Sequence, residues 1–129
     1  MDSMDVARIQ KHQRTFVRQR KWEKYHTPKN LSVALAVEAA ELMEIFQWLT
    51  PNEAKRVMQD PDRVIAVSHE LADVFFYLLR LADILKVDLE EAFWEKMRHN
   101  AAKYPVRLAK GNARKYTELR LNKRKPRQK

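Results

Sequence analysis

Leu31-Ser-Val-Ala-Leu35-Ala-Val-Glu38-Ala-Ala-Glu41-Leu42-Met-Glu44-Ile45-Phe-Gln-Trp48-Leu49 is the stretch that decides the fold. Leu31, Leu35, Leu42, Ile45 and Leu49 recur at spacings of three, four and seven, the period of an amphipathic helix. Glu38 falls on that apolar stripe and Glu41 sits beside it. A second acidic pair, Glu70-Leu-Ala-Asp73, repeats the i,i+3 spacing twenty-eight residues further on. There Ala66, Glu70, Asp73, Tyr77 and Leu81 share one helix face, and Ile65, Phe75, Phe76 and Leu79 supply another. A helix that is apolar on nearly all sides is a buried one. In a chain of 129 residues this favours burial against a second copy, a homo-oligomer built from helical hairpins.

The four carboxylates lack local counter-charge. No Lys or Arg occurs from Leu31 to Ala54 or from Val64 to Leu79. Burying one unpaired carboxylate costs several kcal/mol, and four would undo a domain whose whole stability is ~5–15 kcal/mol. Either the acids are exposed, against the apolar pattern, or a cation neutralises them. Oxygen donors favour a hard cation such as Mg²⁺. Glu44, one turn beyond Glu41, is either an outer neighbour of the site or solvated. His69-Glu70-x-x-Asp73 superficially resembles the HExxH of zinc proteases, but Asp replaces the second His, so that reading is rejected.

Helix punctuation is clear throughout. Thr27-Pro28, Thr50-Pro51 and Asp60-Pro61 each place a capping residue before Pro at the first helical position. Thr50-Pro-Asn-Glu53 and Asp88-Leu-Glu-Glu91 make capping boxes. The pattern predicts helices over roughly 3–24, 28–49, 51–59, 61–86 and 89–103, the last ending before Tyr104-Pro105. No strand-period segment or hairpin signal appears, so the fold class is all-α, a bundle of four to five helices.

Composition sets further limits. The absence of Cys excludes disulfides, thiolate metal sites and thiol nucleophiles. No apolar run approaches the ~18 residues of a membrane span, and the acidic start Met1-Asp2-Ser3-Met4-Asp5 is no secretory signal, which makes the cytoplasm the expected compartment. The net charge of +9 is unevenly spread: residues 101–129 hold eleven bases and one acid, whereas residues 1–100 hold fifteen bases and sixteen acids. Residues 1–119 therefore read as the domain and 120–129 as a disordered basic tail. A solvated tail is preferred over one that contacts nucleic acid, because no aromatic residues interleave its bases.

His12 and His99 read as solvated helix positions, and His26 closes an aromatic loop with Trp22 and Tyr25. Trp22, Trp48 and Tyr77 offer stacking faces for a base, although pattern alone assigns aromatics at helix ends to the core. No glycine-rich phosphate loop exists, so phosphate must be met by metal and by Lys, Arg or Asn side chains.

Beyond the acidic pairs, several segments carry a resemblance: Arg20-Lys-Trp-Glu-Lys-Tyr-His26, Pro28-Lys-Asn-Leu31, Glu41-Leu-Met-Glu-Ile-Phe-Gln-Trp48 and Glu70-Leu-Ala-Asp-Val-Phe-Phe-Tyr77. It continues through Val87-Asp-Leu89, Lys96-Met-Arg-His-Asn100, Tyr104-Pro105 and Lys115-Tyr-Thr-Glu-Leu119. Over roughly residues 5–119 the chain resembles the all-α nucleoside triphosphate pyrophosphohydrolases of the MazG-like group, and within it the dCTP pyrophosphatase branch. The resemblance implies a homotetramer that cleaves a nucleoside triphosphate, dCTP or a 5-substituted dCTP, to monophosphate and pyrophosphate with Mg²⁺. It implies Glu38, Glu41, Glu70 and Asp73 as Mg²⁺ ligands, and Trp22, Trp48 and Tyr77, with His26 nearby, as the base and sugar pocket. Lys96, Asn100 and Tyr104 become candidates for the phosphate end. Glu41 or Glu44 is the candidate to accept the proton of the attacking water.

The chain departs from the branch in two places. A His often stands about nine residues before the loop Trp, where this chain has Gln13 with His12 one step away. Ala39 and Ala40 replace a small Gly-rich context at the first acidic pair. The first departure bears on base discrimination, not on metal binding. Two readings compete with the enzyme: a helical scaffold that engages nucleic acid through its basic tail, and a structural helical dimer stabilised by a divalent ion. The scaffold accounts for the tail but not for four unpaired acids on apolar faces.

Overall fold

Side-chain caps set the helix starts. Thr27 accepts a hydrogen bond from the Asn30 amide at 3.2 Å, and Asp60 from the Asp62 amide at 3.0 Å. Thr50 and Glu53 form the reciprocal capping box, at 3.2 and 3.3 Å. Asp88 accepts from the Glu91 amide at 3.0 Å, the first of the two bonds its box predicts. Asp5 caps the first helix through the Arg8 amide at 2.9 Å.

The computed structural model describes residues 3–123 and places no strand among them. The helices are α1 (Val6–Gln19), α2 (Pro28–Phe46), α3 (Pro51–Lys55), α4 (Pro61–Leu85), α5 (Leu89–Lys103), α6 (Val106–Ala109) and α7 (Tyr116–Lys123). Short 3₁₀ turns occupy Glu23–Tyr25 and Val57–Gln59. The all-α expectation holds. No helix among the described residues is long and apolar enough to cross a membrane.

The chain divides into two compact units, with the boundary between Val87 and Asp88. In the first, α2 and α4 make the principal helix pair, and α1 and the Val57–Gln59 turn pack on α4. Val17, Leu31, Val57, Val67, Leu79 and Ala82 form its buried core. Polar side chains also fasten α1 to α4. Gln10 Nε2 donates to the Leu79 carbonyl at 3.1 Å, Gln13 Nε2 to the Phe76 carbonyl at 2.9 Å, and Arg14 Nη1 to both Asp83 oxygens at 2.9 and 3.0 Å. In the second unit Leu119 is buried, and Tyr104 meets Tyr116 edge-on.

Three boundaries differ from the sequence reading. α1 stops at Gln19 rather than near residue 24, because Lys21 turns the chain in the left-handed region (φ 54°) and the Trp22 amide bonds back to the Val17 carbonyl at 3.1 Å. α2 stops at Phe46 rather than near residue 49. α7 takes Arg120 to Lys123 into a helix where a disordered tail was expected, and the rest of the basic stretch, 124–129, lies outside the described residues.

Candidate functional site

The pairing of α2 with α4 brings acids from both helices together. One carboxylate oxygen from each of Glu38, Glu41 and Glu70 lies within 4.8 Å of the other two. Glu38 and Glu70 are half-buried, and the Oε2 atom of each is sealed from solvent without a hydrogen-bond partner among the described residues. None of the three carboxylates forms a salt bridge among the described residues. Burial pushes the Glu38 carboxyl up to about 7, from an ordinary 4.5. The close approach of the Glu41 and Glu70 carboxyls and the charges of Glu41 and Asp73 add to the rise.

An unpartnered buried acceptor is destabilising by ~1–3 kcal/mol, and by more when it is charged. Two such oxygens with a third carboxylate in reach form the donor set of a hard cation. The residues present therefore fit a divalent metal. Asp73 stands outside the tight three-oxygen group and is exposed, but its charge reaches both Glu38 and Tyr77. The Tyr77 phenol is pushed up by burial first, then by the charges of Glu38, Asp73 and Glu41. Glu44 is exposed and apart from the group, on the wall of an open apolar cleft of about 620 Å³ with Leu42, Met43 and Phe46.

A run of rings leads away from the acids. Tyr77 meets Phe76 edge-on at 5.2 Å, Phe76 meets Phe16 at 6.3 Å, Phe16 meets Trp22 at 5.9 Å, and Trp22 lies 6.4 Å from the His26 ring. The expectation that the helix-end tryptophans are core is overturned: Trp22 is 42% exposed and Trp48 is 88% exposed. Lys21 ends α1 one residue before Trp22, and α2 ends before Trp48, so neither ring is carried on a packed helix face. Trp22 joins the run of rings, whereas Trp48 pairs with no other ring among the described residues.

Gln13 is buried, and its Oε1 has no donor among the described residues. With His12, Phe16, Phe75 and Phe76 it lines a cleft of about 320 Å³. His12 and His99 are exposed, as expected.

Sequence reasoning missed Arg80. Its guanidinium is buried at 4% exposure, Nε donates to His26 Nδ1 at 3.1 Å, and Nη1 reaches Asp83 Oδ2 at 3.5 Å. Burial and the neighbouring Arg80 charge lower the His26 imidazole below its ordinary value. The available signal was a lone base inside the apolar run Val74–Leu81, in step with Glu70, Asp73 and Tyr77 at spacings of three, four and three.

Lys96, Asn100 and Tyr104 belong to the second unit. Lys96 and Asn100 lie one turn apart on α5, and the Asn100 carbonyl accepts from the Tyr104 amide at 2.8 Å where the helix ends. Lys96 and Tyr104 are exposed, and Asn100 is half-buried.

The chain is similar to several known proteins. Human dCTP pyrophosphatase 1 is 44% identical over 104 residues, which is 81% of this chain and 61% of the relative. The mouse protein of the same name is 43% identical over the same shares. The chain thus spans about 61% of the length of these relatives. A crystal structure of a pyrophosphatase from Archaeoglobus fulgidus superposes with a TM-score of 0.74 at 40% identity, over 81% of this chain and 96% of that one. The MazG-like family model matches residues 33–119, a span that holds every acid of the carboxylate group, and the chain belongs to the MazG-like family.

Proposed function

We propose that this chain is a Mg²⁺-dependent hydrolase that cleaves a deoxynucleoside triphosphate, dCTP or a 5-modified dCTP, into the monophosphate and pyrophosphate. The observation that carries this reading is the group formed by Glu38, Glu41 and Glu70, with two sealed and unpartnered oxygens. The names of the relatives, dCTP pyrophosphatase 1 and a pyrophosphatase, support the bond cleaved and the base.

Glu38, Glu41, Glu70 and Asp73 would hold the cation. When bound, it supplies a water of lowered pKa and offsets charge on the phosphates. The chain's own groups do the rest. Glu41 is the most exposed acid of the three-carboxylate group and takes the water's proton on a carboxylate oxygen, with Glu44 one turn on as the alternative acceptor. Tyr77, its phenol kept protonated by burial and neighbouring acids, packs the sugar beside the acidic group. Trp22, Trp48 and His26 receive the base, and exposed indole faces suit stacking. Lys96, Asn100 and Tyr104 are assigned to the phosphates on the family pattern alone.

Val33, Val37, Ile65, Leu71 and Leu78 expose 40–57% of their surface on α2 and α4. We assign these faces to a second copy of the chain, in a homotetramer of the cytoplasm. A nucleic-acid scaffold is disfavoured, since it leaves the three carboxylates without a role.

The test is a panel of canonical and 5-substituted dNTPs incubated with Mg²⁺ and scored for products. Monophosphate and pyrophosphate in equal amounts, with cytosine nucleotides turned over fastest, are expected. Release of orthophosphate would mean that a different bond is cut, and no turnover of any dNTP would overturn the assignment.

A further inference from the structure

The face of α4 that carries Glu70 and Asp73 continues through Tyr77 to Arg80. The steps of three, four and three keep all four residues on one side of the helix. Arg80 lies seven residues beyond Asp73, which is ~10 Å along the axis. A nucleotide with its phosphates at the acids and its sugar at Tyr77 therefore extends its base toward the residue that Arg80 holds, His26.

The contact between Arg80 and His26 fixes a proton. Arg80 Nε lies 3.1 Å from His26 Nδ1. A guanidinium carries only donors and does not deprotonate in proteins. His26 Nδ1 must therefore be the acceptor, which leaves the ring neutral with its proton on Nε2. No hydrogen bond among the described residues uses His26 Nε2, and the ring sits 6.4 Å from the half-exposed Trp22.

Arg80 is itself well held. Asp83 lies 3.5 Å from its Nη1, and Arg14 closes on the other side of Asp83 at 2.9 Å. The charge of Glu23, in the same loop as His26, also acts on Arg80. Burial and the Arg80 charge lower the His26 pKa, in keeping with a neutral ring.

We propose that Arg80 is a positioning residue that locks His26 as the Nε2–H tautomer, so that a base stacked on Trp22 meets a fixed donor and is selected by an acceptor on its edge, a keto oxygen or an unprotonated ring nitrogen. This rests on the nucleotide reading above. A simple tether between the loop and α4 would produce the same bonds in the structure but would leave base selection untouched.

The test uses the full chain and two readouts. ¹⁵N-resolved imidazole spectra of the nucleotide-free protein are expected to show His26 with a pyridine-like Nδ1 and a pyrrole-like Nε2. In Arg80→Leu the two nitrogens should move toward a tautomer mixture. KM for the preferred dNTP should rise about tenfold, the loss of one hydrogen bond, with kcat changed less than about twofold in the same comparison. Arg80→Gln, whose amide N–H can still donate to Nδ1, should recover most of both effects, and Arg80→Met, which like Leu has no donor, takes the place of Arg80→Leu if that variant does not fold.

A protonated Nδ1 or a tautomer mixture in the wild-type protein overturns the proposal. So does an Arg80→Leu protein that melts at lower temperature but keeps its KM and its ranking of bases. Failure of the wild-type protein to hydrolyse any dNTP would sink the nucleotide reading instead, and the spectra would still decide whether Arg80 sets the tautomer.

Discussion

About three turns of one helix separate two opposite uses of charge. Around Glu70, three carboxylates approach one another with no cation among the described side chains, and two of their oxygens are sealed and unpartnered. Around Arg80, a buried guanidinium is met by His26 and Asp83, and Asp83 is met again by Arg14. Both regions are made by α4 against another element of the same unit. The paired region is complete as it stands and holds the aromatic loop to the helix. The unpaired region is the one assigned to the proposed cation. Residual electrostatic conflict, rather than charge itself, is what supports placing the proposed cation at this position.

Substitution should break the two regions in different ways. The largest effect is expected at the acids: Glu38→Gln or Glu70→Gln should lower turnover about 100- to 1,000-fold, read as pyrophosphate release with circular dichroism unchanged. Near-normal turnover would remove the carboxylate group from the mechanism.

Next in size is Asp83→Asn, which leaves Arg80 buried without its carboxylate and takes the partner of Arg14 away. A loss of ~2–4 kcal/mol is expected, read from urea unfolding. A change below ~0.5 kcal/mol would mean that solvent already screens the pair.

The third prediction contrasts the signs. Neutralising an acid of the unpaired group relieves repulsion, so Glu70→Gln should stabilise the metal-free protein, by ~1 kcal/mol. The pH dependence has the same origin. The Glu38 carboxyl is raised from 4.5 to about 7, so between those values the folded protein holds a proton that the unfolded chain has lost. The Glu38 contribution to the stability of the metal-free protein therefore falls as pH rises through that window, by ~1–3 kcal/mol, while His26, lowered on folding, contributes in the opposite sense below its ordinary value. Thermal melts in EDTA from pH 4.5 to 8 read this slope, and Glu38→Gln should flatten it. Identical pH profiles for the wild type and Glu38→Gln would show that Glu38 is an ordinary solvated acid.

Much of this contrast was legible in the sequence, but only its unpaired half. The starts of α2, α3 and α4 were written in Thr27-Pro28, Thr50-Pro51 and Asp60-Pro61, because capping is a local interaction between neighbours. The acids were legible because i,i+3 spacing on an apolar stripe is periodic. The end of α1 was not, because Lys21 adopts a left-handed turn with no Gly or Pro to announce it. The exposure of Trp22 follows from that unannounced turn. Arg80 was missed because its partner His26 lies 54 residues away, and no local pattern records so distant a bond. α6 and α7 were missed because they are short and follow Pro105 and the single glycine, Gly111, where periodicity has little length in which to appear.

The acids of the group come from two helices, with twenty-eight residues between Glu41 and Glu70. Their oxygens converge only after α2 and α4 have packed in register, so a cation has nothing to grip in the unfolded chain. Its binding energy then arrives late on the folding path. A ligand of that kind slows unfolding and leaves the folding rate nearly unchanged, and it lengthens the life of the native state as its free concentration rises. The ion proposed to serve turnover would in this way also be a kinetic latch, tying the persistence of the molecule to the free concentration of that ion.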